Sequence, residues 1–172
     1  MAETLAELVT ADKMIAAPAE WSRVNRCLEL KLPLEIAGLV EEQFFFRATA
    51  LAQLPDEQVT FQLEYHGTNI PGGNGPLCRF EWNPKKPHDN KGRGPVELRF
   101  FTQTGSHFHS FEDNWCEANG ALLRDNLPIS RPISHDIQGF TECLEFVGNL
   151  FRIKSIGVVK TPEWVLDLGV WN

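Results

Sequence analysis

The sequence lacks closely spaced cysteines and long apolar runs. Its four cysteines, Cys27, Cys78, Cys116 and Cys143, form no C-x-x-C or C-x-x-H motif, so neither a zinc-finger pattern nor a disulfide framework is indicated. No segment approaches the roughly 20 apolar residues that a transmembrane helix needs, and the first twenty residues carry acidic side chains instead of a signal peptide's apolar stretch. These absences predict a reduced, cytoplasmic protein that does not contact membranes.

Two common catalytic signatures are also missing. The glycine-rich segment at 68–76, TNIPGGNGP, has no lysine or helix start of the kind a phosphate-binding loop requires, and no G-x-S-x-G motif is present. The net charge of −7 argues against binding nucleic acid over the whole surface. Segment 79–99, however, contains six basic and three acidic residues, which predicts either a local anion site or a solvated loop.

The hydrophobic pattern predicts a single α+β domain. Residues 1–20 are expected to form an N-terminal helical preface, with a helix over 3–16, and residues 21–172 the domain itself. Alternating apolar residues predict strands over 24–36, 41–51, 59–66, 78–82, 96–103 and 106–111, and two further strand-like runs follow within 155–171. Residues 136–151 have the apolar stripe of a helix. The expected architecture is a mainly antiparallel sheet of about six strands with one principal helix packed on it.

The H-x-H pair is the most specific candidate for chemistry. Alternation along a strand places His107 and His109 on one face and Phe108 on the other. A metal ion would need a third ligand, for which the nearby candidates are His88, Asp89, Glu97 and Asp113. Without a metal, two histidines can act as acid and base in the cleavage of an RNA phosphodiester, with Arg or Lys stabilising the developing charge.

The metal-free interpretation assigns a role to each polar residue of this region. The predicted catalytic residues are His107, His109, His88 and Arg93. The predicted substrate-binding residues are Lys85, Lys86, Lys91, Arg99 and Trp82, the last as a platform for stacking bases. This interpretation requires no metal and no cofactor.

Residues 79–153 resemble small TumE-like bacterial toxin-type proteins and related uncharacterised prokaryotic families. The similarity lies in an R-F-x-W strand, an H-x-N loop (His88 to Asn90) followed by K-G-R-G, the segment G-S-H-F-H-S-F, and a closing F-x-x-x-L-x-F-V helix. The resemblance implies a small α+β domain that acts on RNA, with His107, His109, Arg93 and Lys91 as the positions to test.

Three hypotheses follow. The first is an RNA-directed hydrolase or RNA-binding protein of toxin–antitoxin type that uses the histidine pair and the basic loop. The second is a non-enzymatic phage or mobile-element inhibitor or adaptor whose acidic surface binds a protein partner, either a cognate protein or a second copy of the chain. The third is a metal-dependent hydrolase, provided that a third ligand lies near His107 and His109.

Overall fold

The computed structural model describes residues 4–70, 72–123 and 126–165, which form one large antiparallel sheet with a helix packed on one face. The helices are α1 (Leu5–Thr10), α2 (Phe111–Asn114), α3 (Phe140–Phe151) and a 3-10 helix (Ile156–Val158). The strands are β1 (Lys13–Ile15), β2 (Ser22–Val24), β3 (Cys27–Ile36), β4 (Leu39–Leu51), β5 (Val59–Tyr65), β6 (Gly75–Trp82), β7 (His88–Asp89), β8 (Thr102–Gln103), β9 (His107–His109), β10 (Trp115–Cys116), β11 (Ala121–Leu122) and β12 (Arg131–Pro132). Within the described ranges, no helix has the length and apolarity needed to cross a bilayer.

The main sheet has eight strands in the order β1-β3-β4-β5-β6-β9-β12, with β2 also paired to β3. Strands β3 to β6 are consecutive antiparallel neighbours. The α+β class is confirmed, but the prediction of about six strands is too low. Strands β1, β2 and β12 have only two or three residues, too few to show an alternating pattern.

Aromatic side chains build the core between the sheet and α3. Phe46, Phe61 and Phe80 stack across β4, β5 and β6 with ring centroids 6.1 and 6.3 Å apart. Phe140 and Phe151, from the two ends of α3, pack on this row. Burying such a side chain contributes roughly 1.5–3 kcal/mol, so α3 is held mainly by its apolar stripe. The helix begins at Phe140, later than the predicted 136, after Gly139 in a backbone conformation with φ 84°.

Two predicted elements are shorter than expected. Helix α1 has a capping box in which Thr4 and Glu7 satisfy each other's backbone N–H groups, but it ends at Thr10. Residues 13–15 then pair with β3, so the N-terminal preface contributes a strand to the sheet.

The strand predicted over 96–103 is reduced to β8, because β9 takes the place beside β6. Two strand-like runs were predicted within 155–171. The first is wrong, because residues 156–158 form the 3-10 helix. The second extends into residues 166–172, which lie outside the described residues.

A buried lysine joins the N-terminal segment to the end of α3. Lys13 is 0% exposed, and its Nζ donates hydrogen bonds to the carbonyl oxygens of Val9 (2.7 Å), Ala11 (2.7 Å) and Phe151 (3.0 Å). Burial lowers the pKa of this ammonium group to about 8, so it is mostly charged at neutral pH and its three acceptors compensate for lost hydration.

We expect Lys13→Met to lower the free energy of unfolding by about 3 kcal/mol, because methionine fills the space but leaves three carbonyls without their donor. Urea denaturation at pH 7 measures this change. Lys154→Met is the matched control, since that side chain is 61% exposed and its ion pair with Asp12 contributes little. A Lys13→Met protein within 1 kcal/mol of the wild type would contradict the role assigned to these hydrogen bonds.

Candidate functional site

The sheet face opposite α3 is polar and ends at the two histidines of β9. Two rows of directly paired residues cross β4, β5, β6 and β9: Arg47, Gln62, Arg79 and His109 in one row, and Thr49, Thr60, Glu81 and His107 in the next. Phe108, between the histidines, points to the other face and packs on Phe151 at 6.2 Å. The alternation predicted for the H-x-H strand is confirmed.

The segment between β6 and β9 folds back over this end of the polar face. The ring of His88 lies 5.2 Å from that of His107 and 4.8 Å from that of His109, measured between centroids. His88 Nε2 donates to the carbonyl of Pro128 at 3.0 Å. Asn90, fully buried, exchanges hydrogen bonds with the backbone of Ser130. These contacts hold His88 over the H-x-H pair, so the three histidines form one cluster.

The two strand histidines have a defined tautomer. His107 Nδ1 lies 2.8 Å from the carbonyl oxygen of Gly105, and His109 Nδ1 lies 2.6 Å from that of Leu127. A carbonyl only accepts, so Nδ1 carries the proton in both rings and Nε2 presents a lone pair. His107 Nε2 is buried and has no hydrogen-bond partner among the described residues. Backbone-anchored Nδ1–H with a free Nε2 is the usual arrangement of a metal-binding histidine.

Burial keeps both rings neutral. His107 and His109 are each 0% exposed. Desolvation, followed by the charge of Arg79, lowers the pKa of His109 to about 2, and desolvation also lowers the pKa of His107. A neutral imidazole is the form that binds a metal ion. It cannot supply a proton to a leaving group, so this environment favours ligation over acid catalysis.

Distances within the cluster are compatible with one metal ion after small side-chain rotations. His88, His107 and His109 each offer a nitrogen within 4.8 Å of the others, and they are the one such group found in the described ranges. Glu81 Oε2 lies 3.6 Å from His107 Nε2, and Glu81 Oε1 lies 3.7 Å from His109 Nε2. Ligand atoms around a tetrahedral zinc ion are separated by about 3.4 Å. Glu81 therefore stands next to the position that an ion would occupy.

Arg79 supplies the nearest positive charge. Its Nε lies 2.9 Å from Glu81 Oε1. One terminal guanidinium nitrogen lies 3.2 Å from His109 Nε2 and 3.5 Å from Nδ1. Because it is almost equally close to both ring nitrogens, this group lies over the ring face and not in the ring plane. The lone pair of His109 Nε2 is left available in that plane.

The cluster opens to solvent on the side of Glu81, whose side chain is 26% exposed. Glu81 also lines a cleft of about 340 Å³, together with Thr49, Thr60, Lys85 and Lys86. Lys85 forms an ion pair with Glu57 at 3.5 Å. A small anionic group can approach the cluster from here, between the lysines and Glu81.

Several residues predicted from the sequence do not lie where their predicted roles require. Trp82 is 1% exposed and packs on Phe140, so it cannot stack on a base. Arg93, predicted to be catalytic, is exposed, and the cation that faces the imidazoles is Arg79. Lys91 and Arg99 are exposed as well, whereas Lys85 and Lys86 line the cleft.

Of the four candidates for a third metal ligand, only His88 lies beside His107 and His109. His88 joins the cluster. Asp89 is exposed and accepts the backbone N–H of Lys91 at 2.7 Å, Glu97 is exposed, and Asp113 binds Arg131 through both carboxylate oxygens. The hydrogen bond from Arg131 lowers the pKa of Asp113, so this carboxylate is engaged in an ion pair.

The site residues predicted from the sequence did not include Arg79 and Glu81. Their alternation with Phe80 places them on the polar face, which the sequence does indicate. What the pattern lacks is the information that β9 pairs with β6, a contact that joins Arg79 to His109 and Glu81 to His107.

Comparisons with known proteins gave no match: no protein-family model matches the chain, and no curated protein or solved structure is significantly similar to it.

Proposed function

We propose that this protein is a metal-dependent hydrolase whose ion is bound by His88, His107 and His109. One observation carries the proposal: the two fully buried strand imidazoles are held by Nδ1 on backbone carbonyls, both place Nε2 near Glu81, and His88 lies against both rings. Leaving the buried His107 Nε2 without a partner is unfavourable. A cation would satisfy it.

Zinc is the ion that suits this ligand set best. Imidazole nitrogens bind Zn²⁺ at about 2.0–2.1 Å, and catalytic zinc sites typically combine three protein ligands with one open position. The open position here is the side of the cluster that faces Glu81 and the cleft. When bound, the ion lowers the pKa of a coordinated water and polarises an ester oxygen.

The surrounding residues fit the hydrolysis of an anionic ester, such as a phosphodiester. Glu81 accepts a proton from the attacking water, whose oxygen forms a bond to phosphorus while the bond from phosphorus to the leaving oxygen breaks. The proton returns from Glu81 to that leaving oxygen. Arg79 neutralises negative charge that develops on the phosphoryl oxygens, and Lys85 and Lys86 attract the substrate into the cleft.

This proposal keeps the hydrolase predicted from the sequence and changes its chemistry. In the metal-free interpretation, one of His107 and His109 must be protonated near neutral pH. Their complete burial and lowered pKa values oppose that state. His88, predicted to be catalytic, becomes a ligand instead.

Removal and return of the metal test the proposal. The purified protein is treated with EDTA, dialysed, and assayed on bis(4-nitrophenyl) phosphate and on labelled RNA with added Zn²⁺, Mn²⁺ or Mg²⁺. We expect no hydrolysis in EDTA and recovery with one equivalent of Zn²⁺. Hydrolysis that persists in EDTA would support the metal-free mechanism, and absence of both zinc binding and hydrolysis would favour the non-enzymatic interaction protein.

A further inference from the structure

The loop tip, defined as residues 91–101, exposes three large apolar side chains to solvent. Phe100 is 87% exposed, Val96 76% and Phe101 49%. Three large apolar side chains within six residues of one loop are more than the scattered exposure found on most protein surfaces. Such a group points to a binding surface.

The loop tip is held in shape by its own hydrogen bonds. Gly92 N–H donates to the carbonyl of Arg99 at 2.8 Å, and Leu98 N–H donates to that of Pro95 at 2.9 Å. Buried Asn90 donates to the carbonyl of Leu98 at 3.3 Å. Gly94, at φ 85°, lies so close to Ile129 that an added Cβ would be 2.8 Å from Cγ2. A surface ordered before binding loses less entropy when a partner arrives.

Positive charge accompanies the exposed rings. Lys91, Arg93 and Arg99 are exposed on the loop tip, and Glu97 is its single acidic residue. The chain as a whole carries −7. The loop tip is therefore a cationic and aromatic surface on an acidic protein.

Exposed aromatic rings beside Lys and Arg are the elements of a site for single-stranded nucleic acid. Every base can stack on an aromatic ring, and the cations contact phosphates, so such sites need no particular sequence. An anionic membrane could also attract cations and apolar rings, and the chain's net charge opposes both partners equally. The position of the loop tip beside the histidine cluster favours the nucleic acid, because a phosphodiester is the substrate proposed for that cluster. The loop tip also adjoins the histidine cluster, because Lys91 is three residues from His88 and so lies within about 11 Å of it.

We propose that the loop tip binds single-stranded nucleic acid, with Phe100 stacked on a base and Lys91, Arg93 and Arg99 on phosphates. The bound strand continues toward the cleft beside Glu81. The delivery of a phosphodiester to the histidine cluster rests on the proposed function, whereas binding itself does not.

Fluorescence anisotropy in EDTA tests binding without cleavage. The probes are labelled single strands of about 12 nucleotides, one RNA and one DNA of the same sequence, and the corresponding duplex. We expect single strands to bind more tightly than the duplex. Phe100→Ala should weaken single-strand binding about 5- to 100-fold. Phe100→Leu should weaken it similarly, because leucine retains apolar area but has no ring to stack. Leu39→Ala, at a side chain 57% exposed elsewhere, is the matched control.

The cations are tested through salt dependence. Lys91→Gln and Arg99→Gln should each reduce the slope of log affinity against log salt by about one, and Lys160→Gln should not change it. The proposal is overturned if the wild type binds neither single strand, if Phe100→Ala binds normally, or if the duplex is preferred. Binding to phosphatidylserine vesicles that Phe100→Leu retains would assign the loop tip to membranes instead.

The two proposals fail separately. Strand binding is measured in EDTA, with no metal ion in the histidine cluster, so it does not depend on the proposed metal centre. Strand binding without zinc binding would reject the metal centre alone. Comparison of the RNA and DNA probes decides which nucleic acid the loop tip prefers.

Discussion

Replacing His109 by asparagine is expected to weaken zinc binding by more than about 100-fold while the protein keeps its fold. Loss of a group that only orients a metal ligand already costs 10- to 100-fold in affinity, and this change removes a ligand. The asparagine amide nitrogen occupies nearly the position of Nδ1, so it can still donate to the carbonyl of Leu127. What disappears is Nε2.

Zinc affinity is measured by competition with a chromogenic chelator, and tetrahedral coordination by the visible bands of bound Co²⁺. His107→Asn should behave like His109→Asn, because it too keeps the backbone hydrogen bond and removes Nε2. His135→Asn is the matched control, since that ring lies outside the cluster and bonds to Glu142. Unchanged zinc affinity in both strand variants would rule out the centre.

The free cysteines are the main alternative source of zinc binding, because Cys27 and Cys116 are partly exposed. A thiolate ligand would give the Co²⁺ complex an intense near-ultraviolet charge-transfer band. We expect that band to be absent from the wild-type spectrum. Its presence would place the metal on sulfur and contradict the histidine centre.

The sequence predicts this site in part because the relevant signals are local. Strand alternation alone places His107 and His109 on one side and Phe108 on the other. The polar loop between two strands carries His88, one of the candidates for a third ligand, and this ring does lie against both strand histidines. These inferences need only the period of a strand and the length of a connection.

The rest depends on contacts between distant segments. Arg79 and Glu81 become site residues because β9 pairs with β6, and the histidines become buried because Asn90 and Ser130 close the loop over them. No local pattern encodes either contact. Burial then reverses the predicted chemistry, since solvent-exposed histidines can exchange protons near neutral pH and buried ones remain neutral.

Trp82 and Phe100 show the same limit for the aromatic residues. Both lie in segments that alternate apolar and polar residues, so the pattern predicts a strand at both positions. Trp82 does belong to β6 and enters the core, whereas Phe100 lies on the exposed loop tip. The two residues differ because the segment of Trp82 pairs with β5 and β9, whereas Phe100 lies outside the strands. We therefore propose Phe100, and not Trp82, as the aromatic side chain that stacks on a base.

Replacing Glu81 by glutamine is expected to reduce zinc-dependent hydrolysis by about 10²- to 10⁴-fold, the usual contribution of a general base. Glutamine keeps the size of the side chain but does not accept the proton of the attacking water. Zinc affinity should change by less than about 10-fold, because the three imidazoles remain. Hydrolysis of bis(4-nitrophenyl) phosphate and chelator competition measure the two effects on the same samples.

Glu57→Gln is the matched control for this change, because it removes the carboxylate that pairs with Lys85 at 3.5 Å and leaves the histidines unchanged. Its rate should stay within a few-fold of the wild type, since an exposed ion pair contributes little. If Glu81→Gln instead loses zinc and activity together, Glu81 is the fourth ligand of a closed site. A closed four-ligand site has no position for water, so that result would make the metal structural and separate it from any hydrolysis.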